Sequence, residues 1–187
     1  MGGATEWTAG ILAGGFSARM GRDKALMELA GRPLIRHVLD RLGRPALISA
    51  NDDRLAAFGP IVRDVLPARC PVAGVHALLH AAPTDRVFVC GCDMPFVSLP
   101  LVEHLLGIDA DFVLPVTPDG EEPLHAVYSK ACLVPIERRL REMRLRTTDF
   151  QDLVRTERVP IDPRDWLVDG RSPFVNVNTP GEFGALI

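Results

Sequence analysis

The residues with the clearest chemical potential lie in a glycine-rich loop from Leu12 to Lys24, which directly follows an apolar run. An apolar run that breaks into glycines is typical of a buried strand entering a loop. Gly14, Gly15 and Gly21 allow the backbone to curl tightly and bring its N–H groups close to a ligand. The loop also carries a hydroxyl and several cationic side chains: Ser17, Arg19, Arg22 and Lys24. Backbone donors combined with fixed positive charge are how a chain holds a triphosphate, so the loop is predicted to bind one.

Two better-known phosphate-binding loops are excluded by the spacing. The dinucleotide fingerprint G-x-G-x-x-G does not occur in the chain. A P-loop requires Gly-Lys followed by Ser or Thr, whereas Gly21 is followed by Arg22 and Asp23. The structural alternative for this stretch is a solvated glycine-rich turn with scattered charges.

Asp93 is the second candidate for chemistry, because it lies just beyond the apolar run at residues 87–90. A carboxylate that follows a buried strand is held at the edge of the sheet, and Pro95 stiffens the turn. Such a carboxylate suits Mg²⁺, a hard cation that prefers oxygen ligands and substrate phosphates. The alternative is an Asp that only caps a helix or closes a turn.

Five further polar residues are candidates for the site. Asn51 and Asp64 follow apolar runs, where Asn and Asp usually close turns. His125 could act as a general base or donate to a phosphate, although a lone His beside a strand is more often structural. Asn176 and Asn178 alternate with valines, so a strand over residues 174–178 would direct both amides to one face.

The elements that must position these residues alternate along the chain. Apolar runs predict strands at residues 8–12, 46–50, 61–62, 87–90 and 112–116, and helical periodicity predicts helices at residues 33–42, 72–82 and 99–106. This alternation favours an α/β, Rossmann-like fold with a mostly parallel sheet and helices on both faces. Ligands bind beyond the carboxyl ends of such strands, so the glycine loop, Asn51, Asp64 and Asp93 are expected to share one crevice. The less regular second half is expected to add an antiparallel extension or a cap.

Length and composition are those of an ordinary single-domain protein. The chain has 187 residues, 47% hydrophobic and 24% charged, so one domain spanning residues 1–187 can bury a sizeable core. A formal net charge of -3 gives no support for nucleic-acid binding, and no apolar run approaches the ~20 residues of a membrane span. The N-terminus lacks the apolar segment of a secretion signal, so a cytoplasmic location is expected. The four cysteines form no C-x-x-C pair and are expected to be free thiols.

Three stretches of the chain resemble the molybdenum cofactor guanylyltransferases, the molybdopterin-guanine dinucleotide biosynthesis protein A family of the NTP-transferase superfamily. The loop Leu12-Ala-Gly-Gly-Phe-Ser-Ala-Arg-Met-Gly-Arg-Asp-Lys24 resembles that family's L-A-G-G-x-S-x-R-M-G-x-D-K signature. Cys92-Asp-Met-Pro95 resembles its C-D-x-P motif, and Phe174-Val-Asn-Val-Asn-Thr-Pro180 resembles its F-x-N-x-N-T-P-E-E motif. The resemblance implies a fold of the nucleotide-diphospho-sugar transferase type.

The resemblance extends from Thr8 to Glu182, with two departures from the family's pattern. Cys70 stands where the family's G-P-L-A-G turn begins with Gly, and Gly181 replaces the first Glu of the last motif. For the Cys70 stretch, a plain helix start is as good an interpretation as a ligand contact.

The resemblance implies roles for individual residues. Contacts to GTP are implied for residues of the loop and the strand ends: Leu12, Ala13, Gly14, Gly15, Lys24, Asn51, Asp64 and Asp93. Arg19 and Lys24 are expected to neutralise phosphate charge in catalysis, and Asp93 is expected to bind Mg²⁺. The residues implied to contact the acceptor are Asn176, Asn178 and His125. Either Asp64 or the backbone near Leu12 could read the base.

The activity implied is transfer of GMP from GTP to the molybdopterin form of the molybdenum cofactor, releasing pyrophosphate and forming the guanine dinucleotide cofactor. The alternatives are a cytidylyltransferase or another nucleotidyltransferase of the same fold, or a non-catalytic module that binds GTP or a pterin. Expected partners are GTP, molybdopterin and other cofactor-biosynthesis proteins or molybdoenzyme chaperones, with no nucleic acid and no membrane. The cationic stretch from Arg138 to Arg146 is expected to be a solvated face, with steering of the pterin phosphate as the alternative.

Overall fold

A computed structural model of the chain describes residues 6–14, 24–66, 68 and 70–177. Its strands are β1 (Trp7–Leu12), β2 (Glu28–Leu29), β3 (Arg32–Pro33), β4 (Ala46–Ser49), β5 (Ile61–Val62), β6 (Arg86–Gly91), β7 (Phe112–Thr117), β8 (Gly120–Glu121), β9 (His125–Ser129) and β10 (Thr156–Pro160). Its α-helices are α1 (Leu34–Leu42), α2 (Pro71–Ala81), α3 (Leu99–Leu106) and α4 (Leu133–Arg141). Short 3-10 helices cover Lys24–Leu26, Lys130–Cys132, Gln151–Leu153 and Pro163–Trp166.

The central sheet has eight strands in the order β10-β7-β9-β6-β1-β4-β5, with β8 paired to β7. Strand β1 is parallel to β4 and β6, β4 is parallel to β5, and β7 is parallel to β10. Strand β9 lies between β6 and β7 and is antiparallel to both. The mostly parallel sheet is therefore confirmed, and the antiparallel extension expected of the second half is formed by β9 and the β7–β8 hairpin.

Helices cover both faces of the sheet. On one face, α1 and α3 pack through Ile35 and Leu101 in a core that includes Phe88 of β6. On the other face, α2 and α4 pack through Leu78 and Ile136 against the opposite side of the same strand. A strand buried on both faces must be apolar at successive positions, which is why β6 is recognisable in the sequence as a continuous apolar run.

Two segments differ from the sequence-based expectation. A strand over residues 174–178, which would direct both Asn side chains to one face, is not formed in its described part, where residues 175–177 are irregular. The N–H of Val177 donates to the main-chain oxygen of Asp93 at 2.8 Å, so this bond joins the segment to a loop rather than to a sheet edge. The helical-looking stretch from Arg138 ends at Arg141, and Met143 then adopts a left-handed backbone conformation with a φ of 58° that a helix cannot contain.

All four cysteines are free, as expected, and Cys90, Cys92 and Cys132 are buried. Buried thiols of this kind act as small apolar side chains. Within the described ranges, none of the helices combines the length and the apolar character that crossing a membrane requires.

Candidate active site

The glycine loop begins at the carboxyl edge of the sheet, between the ends of β4 and β6. The N–H groups of Ala13 and Gly14 both donate to the main-chain oxygen of Ser49, each at 2.9 Å. On the other side, the N–H of Cys92 donates to the main-chain oxygen of Leu12 at 3.0 Å. These three bonds tie the start of the predicted triphosphate loop to both neighbouring strands. The sequence does not single out Ser49, although it ends an apolar run two residues before Asn51.

Helix α2 packs unusually close to this loop entry. A Cβ at Gly74 would lie 2.7 Å from Leu12 Cδ2 and 2.8 Å from Ser49 Oγ, so no larger residue fits without displacement of those atoms. Pro71 occupies the first turn of the helix, where its missing N–H has no intrahelical role. The helix start predicted there is confirmed, and its contribution to the site is to support the ends of β1 and β4.

An ion pair joins the far end of the loop to Asp93. Lys24 Nζ lies 3.3 Å from Asp93 Oδ2, and the two side chains are 28% and 22% exposed. The other carboxylate oxygen folds back over the end of β6, where a Cβ at Gly91 would lie 2.5 Å from Asp93 Oδ1. The two partners, a cation and an anion, are 69 positions apart in the sequence. Because both remain partly exposed, a ligand can reach them together.

Asn51 and Asp64 lie at the same edge, on the side of β4 and β5. Asn51 is exposed, and a Cβ at Gly14 would lie 3.6 Å from its Nδ2, so its amide lies against the loop entry. Asp64 is half-buried, and burial raises the pKa of its carboxyl above the ordinary value. Its neighbour Arg63 pairs with Asp53 at 2.8 Å, and within the described residues the Asp64 side chain has no hydrogen bond or ion pair of its own.

The chain segment that precedes Asn178 reaches the other side of Asp93. Besides the bond from Val177, the ring of Phe174 packs edge-on against that of His125, with centroids 4.9 Å apart. Asn176 is exposed in this segment. Of the predicted site residues, Gly15, Arg19 and Asn178 lie outside the described residues.

His125 is fully buried rather than presented at the crevice. Its ring lies between Phe88, at 5.0 Å, and Phe174, and neither ring nitrogen has a hydrogen-bond partner among the described residues. Burial lowers the pKa of His125 to about 3, so the imidazole is neutral at physiological pH. This burial favours a structural role for His125. A contact between His125 and the acceptor stays a prediction.

A buried neutral imidazole should make the protein sensitive to acid. The unfolded chain takes up a proton near pH 6.5 and the folded chain does not, so His125 contributes stability above pH 6.5 that is lost as the pH falls toward 3. The loss amounts to at most about 2 kcal/mol at pH 5. We expect His125→Leu to remove that part of the slope in the free energy of unfolding, measured by urea denaturation from pH 5 to pH 8.

His80→Leu is the matched control, because His80 is exposed on α2. Its pH slope should equal that of the wild type. An unchanged slope in His125→Leu would show that the imidazole is hydrated or protonated in the folded protein.

The cationic stretch is largely neutralised by neighbouring carboxylates. Arg139 is mostly buried and bonds to both Glu142 and Asp152, each at 2.9 Å. Arg138 also pairs with Glu142, at 3.0 Å, and Arg141 pairs with a glutamate one turn earlier on α4. These pairs favour a structural and solvated role for the stretch over steering of an anionic acceptor.

Within the described part of the chain, no group of three or more His, Cys, Asp or Glu side chains could hold a metal ion by itself. Among these residues Asp93 therefore does not belong to a preformed cluster of metal ligands. Its chemistry is that of a single oxygen ligand placed next to a primary ammonium group.

Comparison with known proteins points to one family. The MobA-like NTP transferase domain matches residues 9–156. A probable molybdenum cofactor guanylyltransferase from Pelotomaculum thermopropionicum is 35% identical over 182 residues, covering 94% of this chain and 89% of the relative. A molybdenum cofactor guanylyltransferase from Vibrio atlanticus is 38% identical, covering 97% and 96%.

Comparison with solved structures concerns the fold. The crystal structure of molybdopterin-guanine dinucleotide biosynthesis protein A from Archaeoglobus fulgidus superposes with a TM-score of 0.80, at 24% identity and with 95% of each chain covered. The α/β fold with a mostly parallel sheet that is expected from the sequence is thereby confirmed. The start of the glycine loop is hydrogen-bonded to both neighbouring strand ends, and Lys24 at the end of the loop pairs with Asp93. The chain belongs to the MobA-like NTP transferase domain family.

Proposed function

We propose that this chain is an enzyme that transfers GMP from GTP to the molybdopterin form of the molybdenum cofactor. The products are pyrophosphate and the guanine dinucleotide form of the cofactor. Two curated relatives of nearly full length that carry the name molybdenum cofactor guanylyltransferase support this proposal. The observation that carries it is the Lys24–Asp93 pair at the edge where the glycine loop begins.

That pair supplies the two groups that nucleotidyl transfer needs most. An oxygen of the acceptor phosphate attacks the α-phosphorus of GTP in line, and the bond from that phosphorus to the bridging oxygen of the pyrophosphate breaks. Negative charge develops on the departing pyrophosphate, and the ammonium group of Lys24 is placed to stabilise it. The attacking phosphate is already ionised near neutral pH, so the step requires no general base, which agrees with the burial of His125.

Asp93 fits the role of a Mg²⁺ ligand by its chemistry. Mg²⁺ is usually bound through one or two carboxylates together with substrate phosphates, rather than by a complete cage of protein ligands. Asp93 offers a partly exposed carboxylate at the strand end, next to the loop predicted to hold the phosphates. When bound, the cation neutralises charge on the phosphate oxygens.

A panel of nucleotides tests the proposal directly. Purified protein is incubated with molybdopterin, Mg²⁺ and each nucleoside triphosphate in turn, and pyrophosphate release is followed. The highest rate is expected with GTP. Best turnover with CTP would make the chain a cytidylyltransferase, and binding without turnover of any nucleotide would make it a binding module.

Asp64 is proposed to read the guanine base, because its half-buried carboxylate has no partner in the described residues. Guanine presents two N–H donors, and loss of their acceptor leaves buried donors unpaired. Asp64→Ala should therefore narrow the preference for GTP over ATP and CTP by about tenfold in competition binding. Asp53→Ala is the control, since Asp53 is exposed and pairs with Arg63. Equal weakening of all three nucleotides would place Asp64 at the ribose or the phosphates instead.

The finer assignments remain predictions. They include the contacts of Leu12, Ala13, Gly14 and Asn51 with GTP and of Asn176 with the acceptor. They also include a cytoplasmic location and contacts with other cofactor-biosynthesis proteins or molybdoenzyme chaperones.

A further inference from the structure

A second half-buried carboxylate, that of Glu122, lies at the same edge of the sheet as Asp93. The N–H of Glu122 donates to the main-chain oxygen of Pro115 near the end of β7, at 2.9 Å. Two residues later, the main-chain oxygen of Leu124 accepts from the N–H of Gly91 at the end of β6, at 3.2 Å. Because β6 and β7 are both antiparallel to β9, their carboxyl ends meet here. The turn that carries Glu122 therefore bridges the strand ends beside Asp93.

The carboxylate of Glu122 is unpaired in the part of the chain that the structure describes. Within the described residues its side chain makes no hydrogen bond and no ion pair. Burial, together with the nearby negative charge of Asp119, raises the pKa of Glu122 to about 7. The preceding residue behaves differently, since Glu121 is exposed and pairs with Arg158 at 3.1 Å. A half-buried carboxylate without a donor is unfavourable unless a ligand supplies one, and such groups concentrate at functional sites.

The surroundings of Glu122 belong to the side of the crevice where the acceptor is expected. The turn leads directly into His125, whose ring contacts Phe174 of the segment that carries Asn176. The glycine loop begins at the end of β1, which lies on the opposite side of β6 from β9. Asp64, the other half-buried carboxylate without a partner in the described residues, lies on that opposite side, after β5.

Both substrates of the proposed reaction contain the same recognition element. Guanine and a pterin each carry a 2-amino-4-oxopyrimidine ring, in which an amino group and the adjacent ring N–H form a pair of donors. A carboxylate accepts both hydrogen bonds of such a pair, in the way it accepts the parallel donors of a guanidinium group. Asp64 and Glu122, which have no partner among the described residues and lie on opposite sides of Asp93, match two substrates with this donor pair.

We infer that Glu122 is a specificity-determining residue for the acceptor, and that its carboxylate accepts the two N–H donors of the pterin ring. This inference rests on the proposed function, since it requires a pterin acceptor. Charge-assisted hydrogen bonds to a carboxylate are about twice as strong as neutral ones, so the neutral amide of Gln, which also brings donors of its own, is a poor substitute.

Glu122→Gln tests the inference in the full-length protein. We expect the KM for molybdopterin at saturating GTP to rise about tenfold or more, and the KM for GTP to stay within about twofold. The Kd for molybdopterin, titrated by pterin fluorescence without GTP, should rise by a similar factor. Glu121→Gln is the matched control and should leave all three constants unchanged. If Glu122→Gln does not fold, Glu122→Asp keeps the carboxylate but shortens its reach, and it should raise the same acceptor constants.

The other outcomes contradict the inference in distinguishable ways. Unchanged acceptor constants in a folded Glu122→Gln would exclude pterin recognition by this residue. A raised KM for GTP, with loss of the preference for GTP over inosine triphosphate, which lacks the 2-amino group, would assign Glu122 to the guanine instead. Failure of the wild-type protein to transfer any nucleotide would refute the proposed function. In that case the Kd for molybdopterin, compared between the wild type and Glu122→Gln, would still decide the inference about Glu122.

Discussion

Replacement of Asp93 with asparagine is expected to lower the turnover number by about 100-fold or more, a loss of roughly 3 kcal/mol of transition-state stabilisation. The amide has nearly the same shape as the carboxylate, so the backbone bonds of this loop to Gly91 and Val177 should persist. A neutral amide is a poor Mg²⁺ ligand, and the substitution also removes the ion pair between Asp93 and Lys24. Pyrophosphate release at saturating GTP and molybdopterin, over a range of Mg²⁺ concentrations, measures the effect.

Asp40→Asn is the control for this substitution. Asp40 forms a comparable ion pair with Arg32, but it lies on the exposed side of α1, away from the carboxyl edge of the sheet. Its removal should change turnover little, because exposed ion pairs contribute about 0–1 kcal/mol. Near-normal turnover in Asp93→Asn, with Mg²⁺ still required, would refute the assignment of Asp93 as the metal ligand.

Replacement of Lys24 with alanine is expected to reduce turnover by about 100-fold while GTP affinity falls by less than about tenfold. The physical reason is that charge on the departing pyrophosphate grows as the reaction proceeds, so a fixed cation stabilises the transition state more than the bound substrate. In the structure, Lys24 already lies 3.3 Å from the carboxylate that faces the reacting phosphates in the proposed mechanism. Stopped-flow turnover at saturating GTP and equilibrium binding of GTP separate the two effects.

Lys130→Ala is the control for charge removal, because Lys130 follows β9 at the opposite end of the sheet. Lys130→Ala should change neither the turnover number nor the affinity for GTP. If saturating GTP restores the rate of Lys24→Ala, the lysine serves only to bind the nucleotide.

The sequence by itself was sufficient to predict the parallel core and the position of the glycine loop and Asp93 at the carboxyl edge of the sheet. Strands β1 and β6 are continuous apolar runs because both of their faces are buried, and a polar residue that ends such a run must lie at the sheet edge. This local logic placed the glycine loop and Asp93 at one edge before any contact was known. The ion pair between Lys24 and Asp93 agrees with that placement, although sequence spacing cannot reveal a contact across 69 positions.

Tertiary packing decided the features that depend on residues distant in sequence. His125 is ambiguous in the sequence because a strand start can face either solvent or core, and its burial follows from the rings of Phe88 and Phe174. The alternating Val and Asn pattern predicts a strand at residues 174–178, yet Val177 bonds to the loop at Asp93 instead. Periodicity specifies which side chains can share a face, but it does not specify which hydrogen-bonding partner is within reach.

The pairing of β9 with β6 and β7 is likewise not specified by periodicity, and it has the largest consequence for the site. The sequence indicates an antiparallel extension without its position in the sheet. Only the pairing of β9 with both neighbours brings the turn at Glu122 to the strand ends beside Asp93. Apolar runs thus determined the core and the edge where the glycine loop begins, because burial leaves a local pattern in the sequence. Strand order decided where the turn at Glu122 lies, because pairing between distant strands leaves no such pattern.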